Sequence, residues 1–283
     1  MTDYGESMID ISKGRYWDKP WSLVGSCTRC SPGCKNCWSL AMEKRFHKGI
    51  EGDILTHPER LRIPLHTKSG RHNGKPTVYA IWNDLFHETV PIVFRHAAYD
   101  VMAACGKHTF LILTKRPKEM ADYLYDCSWF RHRWLEKNVD HIYHGLTVCN
   151  QAEADEKIPI FLQVPGKKFL SIEPMLGAID LLYPAFDGSE SFSAMGRIDA
   201  VILGGENGPG ARPLHPDWVR SVRDQCQSAG VSFFFKGWGK HIPDLKDVFG
   251  ERRDIPPLAA FDSRLHHRLL DGRPHDDLPW RKK

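Results

Sequence analysis

The chain has 283 residues, of which 41% are hydrophobic and 26% are charged, so it has enough apolar material to bury a core as one large domain or two small ones. Its formal net charge of +4 is too small to indicate a nucleic-acid partner. The N-terminal residues contain no basic region followed by an apolar stretch, and no apolar run approaches the length of a membrane span. We therefore expect no membrane partner and a soluble protein of the cytoplasm.

Short runs of apolar and β-branched residues predict a series of strands that begin about 30 residues apart. These strands cover Thr77–Trp82, Thr109–Thr114, Ile142–Val148, Lys168–Ile172, Ala200–Leu203 and Val231–Phe235. A further strand could lead into a cysteine-rich segment near the N-terminus. Helical spacing predicts helices over Ser39–His47, Val93–Ala104, Pro117–Tyr125, Ala152–Leu162 and Asp217–Ala229.

Strands that alternate with helices at this period are typical of parallel βα units. We predict an α/β fold, a complete or partial TIM-type (β/α) barrel of about six to eight parallel strands. The barrel spans residues 1–240. Residues 241–283 form a C-terminal appendage rather than an independent domain, and their charge, proline and histidine content predicts a solvated tail.

Four of the eight cysteines lie within eleven residues, a density that is typical of a metal centre. We predict that these four, Cys27, Cys30, Cys34 and Cys37, are metal ligands. The other four lie singly in segments that read as ordinary globular protein, so we interpret them as packing residues in a reducing compartment. They are Cys105, Cys127, Cys149 and Cys226.

The cysteines also form two C-x2-C pairs, so zinc is an alternative to an iron-sulfur cluster. Zinc ribbons and fingers normally separate such pairs by about a dozen residues or more. Only three residues separate the pairs here, which is closer to the cysteine runs of ferredoxins. Iron-sulfur is therefore favoured. The zinc alternative predicts a nucleic-acid-binding or scaffold module.

Polar residues follow every predicted strand. In a TIM-type barrel the chemistry collects at the carboxyl ends of the strands, so these residues are candidates for a site. In chain order they are Asn83-Asp84 with His87-Glu88, Thr114-Lys115-Arg116, Cys149-Asn150, Ser171-Ile172-Glu173-Pro174, Gly204-Gly205-Glu206-Asn207 and Lys236-Gly237-Trp238-Gly239.

The spacing C-x3-C-x2-C of Cys30, Cys34 and Cys37 resembles the signature of the radical S-adenosylmethionine (SAM) superfamily. The resemblance implies a 4Fe-4S cluster in which three thiolates hold three irons and the fourth iron is open to SAM. It also implies reductive cleavage of SAM to start radical chemistry, with an external electron donor. An iron-sulfur redox protein that does not use SAM is a second alternative.

Longer motifs resemble one narrower family, the phage and prophage three-cysteine-motif proteins related to radical SAM enzymes. They are Gly25-Ser-Cys27, Ser31-Pro-Gly-Cys34-Lys-Asn-Cys37, Asn83-Asp-Leu-Phe-His-Glu88, His108 through Pro117, Ser171-Ile-Glu-Pro174, Gly204-Gly-Glu206 through Arg212-Pro213, and Phe233 through Gly239. That family's three cysteines correspond to Cys27, Cys34 and Cys37. The first ligand is therefore Cys27 or Cys30, and the family match favours Cys27.

The chemistry of the strand-end side chains suggests roles around such a cofactor. Basic groups suit a carboxylate or phosphate, carboxylates accept from hydroxyl or ammonium groups, and glycines let a ligand approach the backbone. The predicted cofactor-binding residues are Thr114, Lys115, Arg116, Ser171, Glu173, Gly204, Gly205, Glu206 and Arg212. Residues suited to move protons are Asp84, His87 and Lys236. For Arg116, Glu173 and Glu206 the alternative is a ring of ion pairs that closes the barrel mouth.

The resemblance also bears on partners. The phage context of the similar family implies a nucleotide or nucleic-acid base as substrate, a partner protein encoded nearby, and the cytoplasm of a bacterial host as the location. This rests on analogy with the family and on no residue of the chain.

Overall fold

The computed structural model describes residues 14–46, 52–66, 76–126, 139–183, 192–244, 248–249 and 267–281. Cys127, His47 at the end of a predicted helix, and residues 251–266 of the predicted tail lie outside the described residues.

A curled, all-parallel sheet of seven strands forms a half-barrel in the described part of the chain. Its strands neighbour one another in chain order, so each connection leads to the adjacent strand. They are β1 (Lys19–Pro20), β4 (Val78–Ile81), β5 (Thr109–Thr114), β6 (Ile142–Thr147), β7 (Lys167–Ile172), β10 (Ala200–Gly204) and β11 (Ser232–Gly237). The prediction of an α/β fold with a partial barrel of parallel strands is confirmed. The predicted strand before the cysteine segment is β1.

Two short antiparallel pairs lie outside this sheet, and the sequence pattern did not predict them. In the first, β2 (Val24–Gly25) pairs with β3 (Leu55–Thr56). In the second, β8 (Leu182–Tyr183) pairs with β9 (Phe192–Ser193). Each strand has only two residues, which is too short to show an alternating apolar pattern.

Five α-helices occur in the described ranges, at the positions that the helical spacing predicts. They are α1 (Trp38–Phe46), α2 (Ile92–Ala104), α3 (Pro117–Asp126), α4 (Gln151–Phe161) and α5 (Pro216–Ala229). Local chemistry sets their ends: Asn150 accepts from the backbone N–H of Glu153 at the start of α4, and Gly230 ends α5 with a left-handed φ of 67°. None of these described helices is both long and apolar enough to cross a membrane.

The sheet carries apolar residues on both faces because neighbouring side chains of a strand point to opposite sides. On the convex face Ile112, Leu170 and Leu203 join a large core with residues of the helices. On the concave face a second, smaller core contains Leu111, Phe169, Ile202 and Phe234, together with residues from both ends of the chain. The five described helices therefore cover one side of the half-barrel.

Residues 267–281 cover part of the other side, so the expectation of a solvated tail is wrong for them. The backbone N–H of Phe235 donates to the carbonyl of His275, and that of Asp277 donates to Phe233, at 2.9 and 3.2 Å. Beyond this pairing Leu278 and Trp280 pack in the concave core. An open half-barrel leaves an edge strand and an apolar concave face, and the C-terminal segment shields both.

Gly145 gives a test of the concave packing. A Cβ at this position would lie 2.2 Å from Cζ of Phe169, whose ring is buried and packs against Trp280 at 5.8 Å between centroids. We expect Gly145→Ala to lower the free energy of unfolding by about 1–3 kcal/mol through overpacking. Urea denaturation measures this.

The matched control is Gly196→Ala, because an added Cβ there meets nothing within 4 Å. It should change the urea midpoint little. Equal midpoints for the two variants would show that the Phe169 ring yields and that the concave core is loosely packed.

Candidate functional site

A cavity of about 500 Å³ opens at the carboxyl ends of the parallel strands. Most of the predicted site residues line it, although they come from five different strand ends and from the cysteine segment. Those that line it are Cys27, Cys30, Cys34, Cys37, Asp84, Thr114, Lys115, Arg116, Ser171, Glu173, Gly205, Glu206 and Lys236. His87, Gly204 and Arg212 lie behind this lining and contact residues that form it.

Residues 26–37, which we call the cysteine loop, lie across the ends of β6 and β7. The Ser31 hydroxyl accepts from the backbone N–H of Gly33 at 3.1 Å and starts a short 3-10 turn, Pro32–Cys34. A Cβ at Gly33 would lie 3.3 Å from Pro174 and 3.6 Å from Cys149 Cβ, so little room separates the loop from the strand ends. Glycine permits this close approach.

Glu206 fastens the cysteine loop from the β10 side. Its Oε2 accepts from the backbone N–H and Nε of Arg212, at 2.9 and 2.8 Å, and from Nδ2 of Asn36 at 3.0 Å. The guanidinium of Arg212 also donates to the carbonyl of Pro32 at 3.2 Å. Since Pro32 and Asn36 both belong to the loop, the Gly-Gly-Glu motif and Arg212 act on the loop's position.

Arg116 fastens the opposite end of the loop. Its guanidinium donates to Asp84 at 3.0 Å, to Glu88 at 2.9 Å and to the hydroxyl of Thr28 at 2.6 Å. A longer contact of 3.9 Å reaches the sulfur of Cys27. Both Arg116 and Asp84 are buried, so this ion pair is shielded from solvent.

Asp84 and His87 support this arrangement. Asp84 accepts from the hydroxyl of Thr114 at 2.6 Å and from the backbone N–H of Phe86 at 3.0 Å, in addition to Arg116. His87 is buried and its Nε2 lies 2.9 Å from the hydroxyl of Thr28. Burial lowers the pKa of His87, and Arg116 lowers it further, which favours the neutral imidazole.

A third ion pair joins the ends of β7 and β11. Nζ of Lys236 lies 2.6 Å from Oε1 of Glu173. Gly204 backs this carboxylate, because a Cβ there would come within 3.1 Å of the same oxygen. The alternative predicted for Arg116, Glu173 and Glu206, a set of ion pairs around the mouth of the barrel, is therefore present in the structure.

Lys115 differs from these charged groups. In the described part of the chain its ammonium makes no hydrogen bond or ion pair, although it lines the cavity. Burial lowers the pKa of Lys115, but nearby sulfurs outweigh burial and raise that pKa above its ordinary value. Those sulfurs belong to Cys34, Cys37 and Cys30. Within the described ranges, the Lys115 ammonium therefore faces the clustered thiols without a hydrogen-bond or ion-pair partner.

The four thiols are not equivalent. A hydrogen bond between Cys30 and Cys34 lowers the pKa of Cys34 and raises that of Cys30, so Cys34 carries the thiolate of this pair. Burial raises the pKa of Cys27, which lies against Arg116. Cys34 is buried and Cys30 is exposed.

Among the described residues, no three His, Cys, Asp or Glu side chains are placed to hold a single metal ion.

The single cysteines that the structure describes are buried, as expected of packing residues. Cys149 has an additional position beneath the cysteine loop. Its thiol donates to Glu153 at 2.8 Å and lies 3.9 Å from the hydroxyl of Ser31. Burial raises the pKa of Cys149 to about 12, so it stays a thiol.

Sequence reasoning missed several residues of the cavity wall. Thr28 and Asn36 carry no signal beyond their place among the cysteines. Three tryptophans, Trp17, Trp38 and Trp82, also line the cavity. Trp38 directly follows Cys37 and Trp82 ends a predicted strand, so position could have marked these two.

The Glu206 contacts give a second test. We expect Glu206→Gln to destabilise the fold by about 2 kcal/mol, because an amide cannot replace a buried carboxylate that accepts from Arg212 and Asn36. Burial raises the pKa of Glu206, but the hydrogen bonds from Arg212 and Asn36 outweigh it and lower that pKa. The difference in the free energy of unfolding between the wild type and Glu206→Gln should therefore be complete above pH 4.5. It should shrink as the pH falls through the lowered pKa of Glu206.

Chemical denaturation across this pH range measures the difference. Glu156→Gln on the exposed face of α4 is the matched control and should stay within about 0.5 kcal/mol of the wild type. If both variants match the wild type, the Glu206 contacts do not hold the loop.

No curated protein and no solved structure matches the chain. A family model described as "Protein of unknown function (DUF5131)" matches residues 11–279, a range that includes the cysteine loop, the whole parallel sheet and most of the C-terminal segment. Since the match covers almost the entire chain, the protein belongs to this family of unknown function.

Proposed function

We propose that the protein is an iron-sulfur enzyme of the radical SAM type, built on a partial TIM-type barrel. The supporting observation is that four clustered thiols face one cavity at the carboxyl ends of a parallel half-barrel, together with Lys115, whose ammonium has no partner among the described residues. The likeness of the cysteine spacing and of the longer motifs to radical SAM proteins supports the same proposal.

The residues present fit a 4Fe-4S cluster in their donor chemistry. Thiolates are the ligands that iron-sulfur clusters require, and the lysine ammonium balances their negative charge. When bound, the reduced cluster would supply the electron that cleaves the sulfonium bond of SAM. Within the chain, Arg116 and Glu206 hold the two ends of the cysteine loop in place for that task.

We assign the cluster ligands to Cys27, Cys34 and Cys37. Cys34 and Cys37 belong to both cysteine patterns, and the longer motif match favours Cys27, whose sulfur lies 3.9 Å from the guanidinium of Arg116. Cys30 is hydrogen-bonded to Cys34 and exposed, so it is placed as a donor to a ligand sulfur. Hydrogen bonds to ligand sulfurs tune the potential of a cluster.

Lys115, Glu173 and Lys236 are the chain's candidates for contact with SAM and substrate. Lys115 is suited to a carboxylate or phosphate because no protein carboxylate occupies it in the described structure. The Glu173 and Lys236 side chains are 16% and 41% exposed, so their ion pair is accessible from the cavity. A carboxylate there suits an ammonium or hydroxyl group, and the ammonium suits proton transfer.

Cysteine variants test the cluster. After anaerobic reconstitution, Cys34→Ala and Cys37→Ala should hold little iron and sulfide, because each loses a ligand. Cys105→Ala and Cys226→Ala are matched controls, since both cysteines are buried away from the cavity, and they should assemble a full cluster. Iron, sulfide and zinc analysis with formation of 5′-deoxyadenosine from SAM under reducing conditions are the readouts.

The outcomes separate the alternatives. Iron and sulfide with 5′-deoxyadenosine support the proposal. An intact cluster that neither binds nor cleaves SAM indicates the redox protein. Stoichiometric zinc without iron contradicts the proposal and supports the alternative of a zinc-binding module. Equal iron in all four variants would show that the cysteine loop is not the binding site.

Cys27 and Cys30 give a separate test of the ligand assignment. Cys27→Ala should lose the cluster, whereas Cys30→Ala should keep it with a shifted reduction potential, because only a hydrogen bond to Cys34 is removed. Iron content and the electron paramagnetic resonance of the reduced protein measure both effects. The reverse pattern would make Cys30 the ligand.

A further inference from the structure

Three tryptophan rings form one wall of the cavity, and neither cluster binding nor the ion pairs explain them. The ring of Trp82 meets that of Trp17 at 4.3 Å between centroids, nearly perpendicular, and that of Trp38 at 5.3 Å in the same manner. The guanidinium of Arg15 lies over the Trp17 ring at 5.4 Å. We call Trp17, Trp38 and Trp82 the tryptophan cluster.

The tryptophan cluster reaches from the concave core to the surface. Trp17 packs against that core, Trp17 and Trp82 are half-buried, and Trp38 is 57% exposed. Burial of an indole ring is strongly favourable, so the exposed Trp38 ring beside a cavity indicates a surface that a ligand covers.

The first helix extends this surface away from the cavity. Met42 and Arg45 follow Trp38 by four and seven residues along α1, which places all three on one face of the helix. Met42 and Arg45 are exposed like Trp38, and so is Lys35 in the adjoining loop. The result is an aromatic and apolar strip bordered by positive charge.

We propose that the tryptophan cluster stacks a base of a single-stranded nucleic acid and presents it to the cavity. Base stacking on aromatic rings combined with basic side chains along the backbone path is how proteins bind single strands. Arg15, Lys35 and Arg45 supply the positive charge locally, which the small net charge of the whole chain conceals. This names the substrate class of the proposed radical SAM enzyme and so rests on that proposal.

Because Trp38 both lines the cavity and is exposed, a base stacked on it lies at the mouth of the cavity, with the rest of the strand outside. The exposed position of Trp38 leaves the stacked unit open to solvent, so the neighbouring nucleotides can follow α1. A base within a duplex could not reach the cavity without leaving its stack.

Fluorescence anisotropy on the full chain tests the proposal with a labelled single strand of about ten nucleotides, as DNA and as RNA. The wild type should bind the single strand more tightly than a duplex of the same sequence. Trp38→Ala should weaken binding about tenfold or more through the lost stacking. Arg15→Ala should weaken it and reduce its salt dependence.

Trp218→Ala is the matched control, since Trp218 lies on α5 and does not line the cavity; its binding should equal that of the wild type. Thermal unfolding of each variant confirms that it is folded, and Trp38→Phe, which keeps a ring, should recover part of the affinity. The proposal is overturned by equal binding of wild type and Trp38→Ala, by equal affinity for duplex, or by equal affinity for a free mononucleotide. If Trp38→Ala loses SAM binding and keeps strand binding, the tryptophan cluster contacts the cofactor and not a base.

Measuring strand binding before and after reconstitution separates this inference from the proposed function. Strand binding by a protein that takes up no iron would contradict the radical SAM proposal alone. Cluster assembly and SAM cleavage without strand binding would contradict this inference alone.

Discussion

All seven strands of the main sheet run in one direction, and the site depends on this constraint. Parallel strands bring all their carboxyl ends to one edge, and the curl of the half-barrel turns that edge into the wall of a cavity. Residues as distant in sequence as Asp84 and Lys236 therefore share one volume. The cysteine loop follows β1 and lies over the same edge, which puts its thiols among them.

The charged groups of the site divide into two kinds. Arg116 and Glu206 are buried and paired with opposite charges, and each ties the sheet to one end of the cysteine loop. A buried charge is tolerated only when it is paired, so Arg116 and Glu206 need their protein partners and are not available to bind a ligand. Lys115 has no such partner in the described structure and is held charged by the thiols. Arg116 and Glu206 therefore position the cysteine loop, whereas Lys115 is the cation best suited to bind a ligand.

The open half-barrel has an apolar surface that must be covered, and residues near both ends of the described chain cover it. Its concave face is apolar, and the strand β11 has an open edge. Residues 267–281 pair with that edge, while Trp280 donates from its indole to the carbonyl of Tyr16 at 3.0 Å. Among the described residues, this closes the base of the half-barrel and leaves the carboxyl edge, with its tryptophan cluster, as the open side.

The sequence by itself determined most helices and strands, because the period of apolar residues is a local property. It also indicated the cysteine loop and the polar strand ends. It missed the antiparallel pairs β2–β3 and β8–β9, since strands of two residues are too short to show a pattern, and it predicted a free tail where Trp280 is packed. Only the tertiary structure decided which charges pair: Arg116 meets Asp84, 32 residues away, because neighbouring strands are parallel and in register. Such contacts depend on sheet curvature and distance in space, which no local pattern encodes.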